Sequence, residues 1–331
     1  MNLETGITLV LDSNVGFNAR QGLKQKWTLA TYLLPNELKA LNDQIAESGC
    51  SNWIVVHPCI PFDTNGSSPH DDETLVISRR AAHELKNYGN LITAHLQGRR
   101  IVDVWQLLKE MRGRVNLRTA DAWSFLMGST FQSPPILFYF YLKTLLEPVL
   151  AMFLLVLLSP LLLGVALAIC LMNGRPILFR QDRLGHRGRK FSMFKFRTMG
   201  TTAESSGPRW ASEGDLRMTR LGRWLRKNRL DELPQLLNVL RGDLSFVGPR
   251  PERKEFYDLL SKEIPLFTMR LLVRPGITGW AQVNSGYAAS SEESKTKLEY
   301  DLYYIQSMSP GMDFQVILKT IFVVLRGNSG R

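Results

Sequence analysis

From Val149 to Met172 the chain runs 24 residues without a charge, rich in Leu, Val and Ala and interrupted near its centre by Ser159-Pro160. About 20 apolar residues in a helix suffice to cross the hydrocarbon core of a membrane, so this segment sets the terms for everything around it. Pro160 removes a backbone donor and crowds the preceding turn, which bends the helix there. The Ser159 hydroxyl can satisfy a carbonyl freed by that break. Two paths are open: a kinked helix that spans, or a re-entrant hairpin that dips into one leaflet and returns. Charge placement favours the second. The flank after Met172 carries Arg175, Arg180, Arg183, Arg187, Arg189 and Lys190, which marks it as cytoplasmic. Spanning would then export residues 1–136, which carry no signal-peptide pattern.

The net charge of +11 is concentrated in one stretch. Residues 1–136 hold 13 basic and 13 acidic side chains, whereas Arg175–Arg229 holds 15 cations against 4 acids. A local cationic patch of this kind suits phosphate groups or an anionic membrane face. Cys50, Cys59 and Cys170 form no disulfide or zinc pattern, which fits a reducing cytoplasm. Aromatic residues do fall among the cations, so a tethered nucleic-acid binder is a rival reading, but no RNA- or DNA-binding motif is present and nucleic acid is not the expected partner.

The expected class is α+β. Residues 1–125 read as a small soluble α/β unit, Rossmann-like but without a glycine-rich nucleotide fingerprint. Strands are expected at Gly6–Leu11 and Trp53–His57, helices at Pro35–Gly49 and Arg79–Gly89, and a loop at Phe62–Glu73. Residues 126–142 are expected to be a linker and 143–173 the membrane helix. Residues 174–331 then form a mostly helical domain that opens with a β-hairpin over Ile177–Arg197, turning at Gly185–Gly188. Thr201–Gly214 reads as a polar loop. Arg217–Lys227 is amphipathic, with arginines suited to the headgroup region. A last amphipathic helix is expected over Asp313–Leu325.

The chemistry centres on Asp231-Glu232, which follows the cation run and precedes Pro234. Proline is favoured in a helix's first turn, so the two acids fall at or just before a helix N-terminus. Asp231 alone would pass for an N-cap. A cap needs one carboxylate; two adjacent ones suit a nucleophile or metal ligand beside a group that positions it or moves a proton. On a strand, Lys195 and Arg197 share a face and read either as a phosphate clamp or as the cations of a solvated edge strand. Gly248-Pro-Arg250-Pro251 fixes the backbone around one arginine. Arg274-Pro-Gly276-Ile-Thr-Gly279-Trp280 is a tight turn in which Trp280 either stacks on a base or sugar or belongs to the core.

Six motifs in order carry a resemblance: Arg180–Gly185, Lys195–Met199, Leu230–Gln235, Gly248–Pro251, Pro275–Val283 and Tyr300–Ile305. From about Lys143 to the C-terminus the chain resembles the bacterial sugar transferase family, the monotopic phosphoglycosyl transferases. Gly113–Arg118 and Trp123 also resemble the lead-in of longer exopolysaccharide-initiating members, without the four extra transmembrane helices those usually carry.

The resemblance implies a reaction in which hexose 1-phosphate passes from a UDP-sugar to undecaprenyl phosphate with release of UMP, as the first membrane step of surface glycan synthesis. Asp231 would be the nucleophile, forming an aspartyl-phosphosugar, and Glu232 would assist. Mg²⁺ would be held at Asp231. Lys195, Arg197 and Arg250 would neutralise phosphate, and Arg274, Trp280 and Gln282 would complete the substrate site. The expected partners are UDP-hexose, undecaprenyl phosphate and membrane lipid, with a homodimer left open. The expected location is the cytoplasmic face of the bacterial inner membrane, and the resemblance strengthens the re-entrant reading of Ser159-Pro160. Two departures stand out: Lys143 and Glu147 replace the usual Lys-Arg…Asp before the helix, and Gln282-Val-Asn-Ser-Gly-Tyr287 lacks the usual arginine. The alternative activity is a membrane-associated phosphohydrolase that uses the same aspartate with water as acceptor.

Overall fold

A computed structural model describes residues 27–33, 35–48, 54–58, 74–78, 92, 95, 96, 101–117, 134–200, 217–285 and 291–325. The strand expected at Gly6–Leu11, the helix at Arg79–Gly89 and the loop at Thr201–Gly214 lie outside them. Two compact units divide between Gly113 and Arg114.

The first unit is built on four parallel strands, β1 (Trp27–Tyr32), β2 (Ile54–Pro58), β3 (Thr74–Ile77) and β4 (Ile101–Asp103), in the order β2-β1-β3-β4. Helices α1 (Pro35–Ser48) and α2 (Val104–Arg112) accompany them. Leu41, Ile45, Val76, Val104, Leu107 and Leu108 form their shared core, as parallel strands covered by helices require. Asp103 caps α2 by accepting from the amides of Trp105 and Gln106, and Gly113 closes it in the left-handed conformation.

The second unit is mostly helical. It begins by docking Arg114–Leu117 on the helix that carries Glu299: the Val115 amide donates to the Glu299 carbonyl and Arg114 pairs with its carboxylate. Helix α3 (Pro134–Leu157) then starts well inside the segment expected to be linker. The apolar pattern simply continues upstream through Leu137, Phe138 and Tyr141, which hides the boundary. Leu137–Leu157 is long and apolar enough to cross a membrane. Helix α4 (Ser159–Asn173) follows after a break at Leu158, with Pro160 in its first turn and the Ser159 hydroxyl donating to the Val156 carbonyl at 2.7 Å.

Both helices rest on this same unit. From α3, Ala151 packs on Val239 and Leu244; from α4, Val165 and Ile169 pack on Phe196 and Leu225. Between these contacts the outward faces stay apolar and exposed, including Met152, Phe153, Val156, Leu157, Leu161 and Leu163.

The hairpin forms as expected, with β5 (Leu178–Leu184) antiparallel to β6 (Lys190–Phe196). Helix α5 (Arg220–Lys227) is capped by Thr219 and crosses the end of β6 so closely that a Cβ on Gly222 would stand 2.0 Å from the Thr198 carbonyl oxygen. A 3₁₀ turn over Leu230–Gln235, entered through Arg229 at φ 56°, leads into the short α6 (Leu236–Leu240). Strands β7 (Ser245–Val247) and β8 (Gly276–Thr278) pair in parallel and bracket α7 (Lys254–Glu263) and a 3₁₀ turn over Phe267–Leu272. The described residues close with α8 (Trp280–Asn284), α9 (Ser291–Ser307) and α10 (Pro310–Leu325). Leu298, Leu302, Tyr304 and Ile305 of α9 anchor the main core with Phe267, Val273 and Val316.

Candidate active site

The 3₁₀ turn lies across β6, and this brings Asp231 and Glu232 beside Lys195. Both acids are buried, at 4% and 8% exposure. Their surroundings differ sharply. Glu232 Oε1 accepts from Lys195 Nζ at 2.9 Å and from Arg250 at 2.7 Å, while Arg229 stands 3.5 Å from Oε2. Among the described residues none donates a hydrogen bond to the Asp231 carboxylate.

Electrostatics follow this asymmetry. Burial alone would push the Glu232 carboxyl up, but Arg250, Lys195 and Arg229 outweigh it and hold it well below its usual range. Burial, and then the charge of Glu232, push the Asp231 carboxyl up, against the pull of Lys195, Arg226 and Arg250. Burial also lowers the Lys195 ammonium, partly offset by Glu232. One carboxylate is thus tied into a charge network and its neighbour is left open.

Arg250 is delivered by the loop after β7. That loop exists because glycine backbones touch: a Cβ on Gly248 would stand 2.4 Å from the Arg274 carbonyl oxygen, and one on Gly276 2.1 Å from the Gly248 amide nitrogen. Only residues without side chains permit such an approach.

Of the predicted residues, the structure gathers Asp231, Glu232, Lys195 and Arg250. Arg197 is a correction. It is 6% exposed, and its guanidinium donates to the carbonyls of Asn173, Gly174 and Arg175, the last at 2.9 Å. It therefore closes the C-terminus of α4 and has no face to offer a phosphate. Alternation along a strand placed it beside Lys195, but β6 ends at Phe196 and the alternation lapses there. Trp280 is also corrected, to the core reading: it is 9% exposed, packs on Tyr303 and carries the Lys319 ammonium 4.1 Å above its ring. Gln282 Nε2 donates to the Ile277 carbonyl at 3.1 Å, and its Oε1 is buried without a partner among the described residues. Arg274 lines a small cavity with Lys143, Glu147 and Tyr304, apart from the paired acids' hydrogen-bond network.

Three contributors carried no local signal. Asn238 holds β6 in register with the acidic turn, accepting from the Phe194 amide at 3.0 Å and donating to the Ser192 carbonyl at 2.8 Å. Arg270 reaches the Arg250 carbonyl. Lys297 lies close enough to Arg250 and Glu252 to feel both charges, and burial lowers its ammonium.

The model of the family described as "Bacterial sugar transferase" matches residues 138–327, a span that holds every residue of this site. The chain belongs to the bacterial sugar transferase family. It is 43% identical over 205 residues to a UDP-N-acetylgalactosamine-undecaprenyl-phosphate N-acetylgalactosaminephosphotransferase of Aeromonas hydrophila, covering 62% of this chain and 48% of the relative. To a UDP-glucose:undecaprenyl-phosphate glucose-1-phosphate transferase of Xanthomonas campestris pv. campestris it is 42% identical over 192 residues, covering 55% and 38%. To a protein of the same description from Caulobacter vibrioides it is 44% identical over 181 residues, covering 54% and 68%. The chain thus spans less than half the length of the first two relatives. The family match lies wholly within the second unit.

Proposed function

We propose that the protein transfers a sugar 1-phosphate from a UDP-sugar to undecaprenyl phosphate, releasing UMP, at the cytoplasmic face of the inner membrane. The observation that carries this reading is the unequal pair: Glu232 bound by three cations and Asp231 buried with no donor among the described residues. Names of relatives support the reactants, since those proteins are described as undecaprenyl-phosphate sugar phosphotransferases.

In the first step an Asp231 oxygen attacks the sugar-bearing phosphorus of the diphosphate. The bond from that phosphorus to the bridging oxygen breaks, and UMP leaves with the electron pair. In the second, an oxygen of undecaprenyl phosphate attacks the same phosphorus and the Asp231 carboxylate departs, free for another cycle. Lys195 and Arg250 face the charge that develops on the phosphoryl oxygens, and Glu232 keeps both cations in place. Asp231 also suits Mg²⁺, which is typically held by one or two carboxylates together with substrate phosphates. Such an ion would keep Asp231 ionised and offset charge on the diphosphate.

The same reading makes α3 and α4 a re-entrant pair. Support comes from Ala151 and Ile169, which lie on either side of the Ser159-Pro160 break and both pack on the unit that holds the site. A hairpin so seated keeps the catalytic acids at the depth where a lipid phosphate meets a soluble nucleotide. The N-terminal unit is read as a Rossmann-like accessory domain on the strength of its all-parallel sheet.

The test is UMP release from radiolabelled UDP-glucose, UDP-galactose, UDP-N-acetylglucosamine and UDP-N-acetylgalactosamine, with and without undecaprenyl phosphate. Lipid-dependent release with label entering the lipid fraction is expected, and Asp231→Asn should abolish it in folded protein. Release that ignores the lipid would replace transfer with hydrolysis.

A further inference from the structure

The Arg250 loop is held almost entirely through its carbonyls. Pro249 and Pro251 have no amide hydrogen to give, and four successive acceptors are each taken by a different donor. The Gly276 amide binds the Pro249 carbonyl at 2.9 Å, Arg270 the Arg250 carbonyl at 2.8 Å, Arg183 the Pro251 carbonyl at 3.1 Å, and the Leu184 amide the Glu252 carbonyl at 3.0 Å. From the same residue the Arg250 guanidinium leaves the loop toward Glu232, 2.7 Å away.

Arg270 is itself held from behind. Its Nε donates to Asp301 Oδ2 at 2.9 Å, and both side chains are buried, at 9% and 2% exposure. Its guanidinium also lies 5.0 Å from the centre of the Phe267 ring. As a source of stability the ion pair is poor. Two charges have lost their water, and Asp301 Oδ1 is buried without a partner among the described residues. A hydrophobic pair would fill the space at less cost. What such a pair cannot do is aim a donor at the Arg250 carbonyl.

We propose that Asp301 is a positioning residue for the reacting pair: it orients Arg270, which grips the Arg250 carbonyl and so keeps the Arg250 guanidinium on Glu232. The chain of contact runs from α9, through the 3₁₀ turn at Phe267–Leu272, to the loop after β7, and ends on the acidic turn. This inference rests on the transferase reading, because the consequence it names is a slower phosphoryl transfer.

A double-mutant cycle on the full chain tests it. Asp301→Asn should lower kcat about tenfold while leaving KM for the UDP-sugar nearly unchanged, the signature of misplaced groups rather than lost binding. Arg270→Lys keeps the charge but cannot span both partners, and should reproduce that loss. In an Arg250→Ala background, Asp301→Asn should have no further effect. An equal loss in both backgrounds would overturn the proposal and leave Asp301 a merely structural residue. A second readout needs no turnover. Phenylglyoxal labelling of Arg250, mapped by mass spectrometry with Arg226 as internal control, should rise in Asp301→Asn. Unchanged labelling would also overturn the proposal. Should the unaltered protein turn over no UDP-sugar, the transferase reading falls, and the labelling still decides whether Asp301 holds Arg250.

Discussion

Lys143, on α3, places its ammonium 2.7 Å from the carbonyl oxygen of Val247, the last residue of the strand that leads to Arg250. The same ammonium binds Asp313 at 2.6 Å and the Tyr304 hydroxyl at 3.0 Å, and Glu147, one turn on, accepts from Ser245 and from the Phe246 amide. The seat of α3 and the approach to the Arg250 loop are therefore one structure.

Lys143→Met should cost about 3–5 kcal/mol, because it leaves Asp313 buried without its cation. Thermal unfolding in detergent checks this. An Asp313→Asn substitution in the same chain should return part of the loss.

Asp231→Asn should raise the unfolding temperature at neutral pH even as it ends activity. Asp231 has its folded pKa raised above the ordinary 3.8, so its ionisation opposes folding and the cost is felt once pH exceeds that value. Glu232 works with the opposite sign. Its folded pKa lies well below the ordinary 4.5, so its stabilisation is complete above that pH and fades as pH falls toward the folded value. Unfolding of wild type and Asp231→Asn, followed from pH 8 to pH 4 without divalent cations, should give curves that converge as acid is added. A gap that widens in acid would contradict the assignment.

Arg197→Lys should destabilise by about 2 kcal/mol or more and leave KM for the UDP-sugar unchanged, since three carbonyls at the end of α4 lose a forked donor. A selective rise in KM would restore Arg197 to the phosphate site.

Pro160→Ala returns an amide donor to the break, where the Ser159 hydroxyl now serves the Val156 carbonyl. A straighter helix should result, and a cysteine introduced near residue 135 should become reactive to membrane-impermeant reagents from the far side of the membrane. Cysteine labelling that stays cytoplasmic would mean that packing at Ala151 and Ile169, not Pro160, sets the path.

How much of this was legible in the sequence depended on the range of the interaction. The hairpin was legible because alternation and a glycine turn are local, and the break at Ser159-Pro160 because proline acts on its own turn. Asp231 and Glu232 could be found, but their inequality could not: it arises from Lys195, 37 residues away, and Arg250, 18 residues away. Arg197 misled for a related reason. Its residue type and spacing fitted phosphate, yet its partners are backbone carbonyls, which every residue has and no motif advertises. The start of α3 at Pro134 was hidden because the apolar run before Lys143 resembles the run after it.

The docking of α3 also constrains how the protein is made. Ala151 leaves the ribosome before its partners Val239 and Leu244, about 90 residues later in the chain; at roughly 5–20 residues per second that is a wait of about 5–18 s. Throughout that interval the contact of Ala151 is unmade and the apolar face of α3 stays uncovered by the residues it will pack on. That delay makes the helix pair the part of the second unit most exposed to misassociation during synthesis, because transiently uncovered apolar surface is what aggregates.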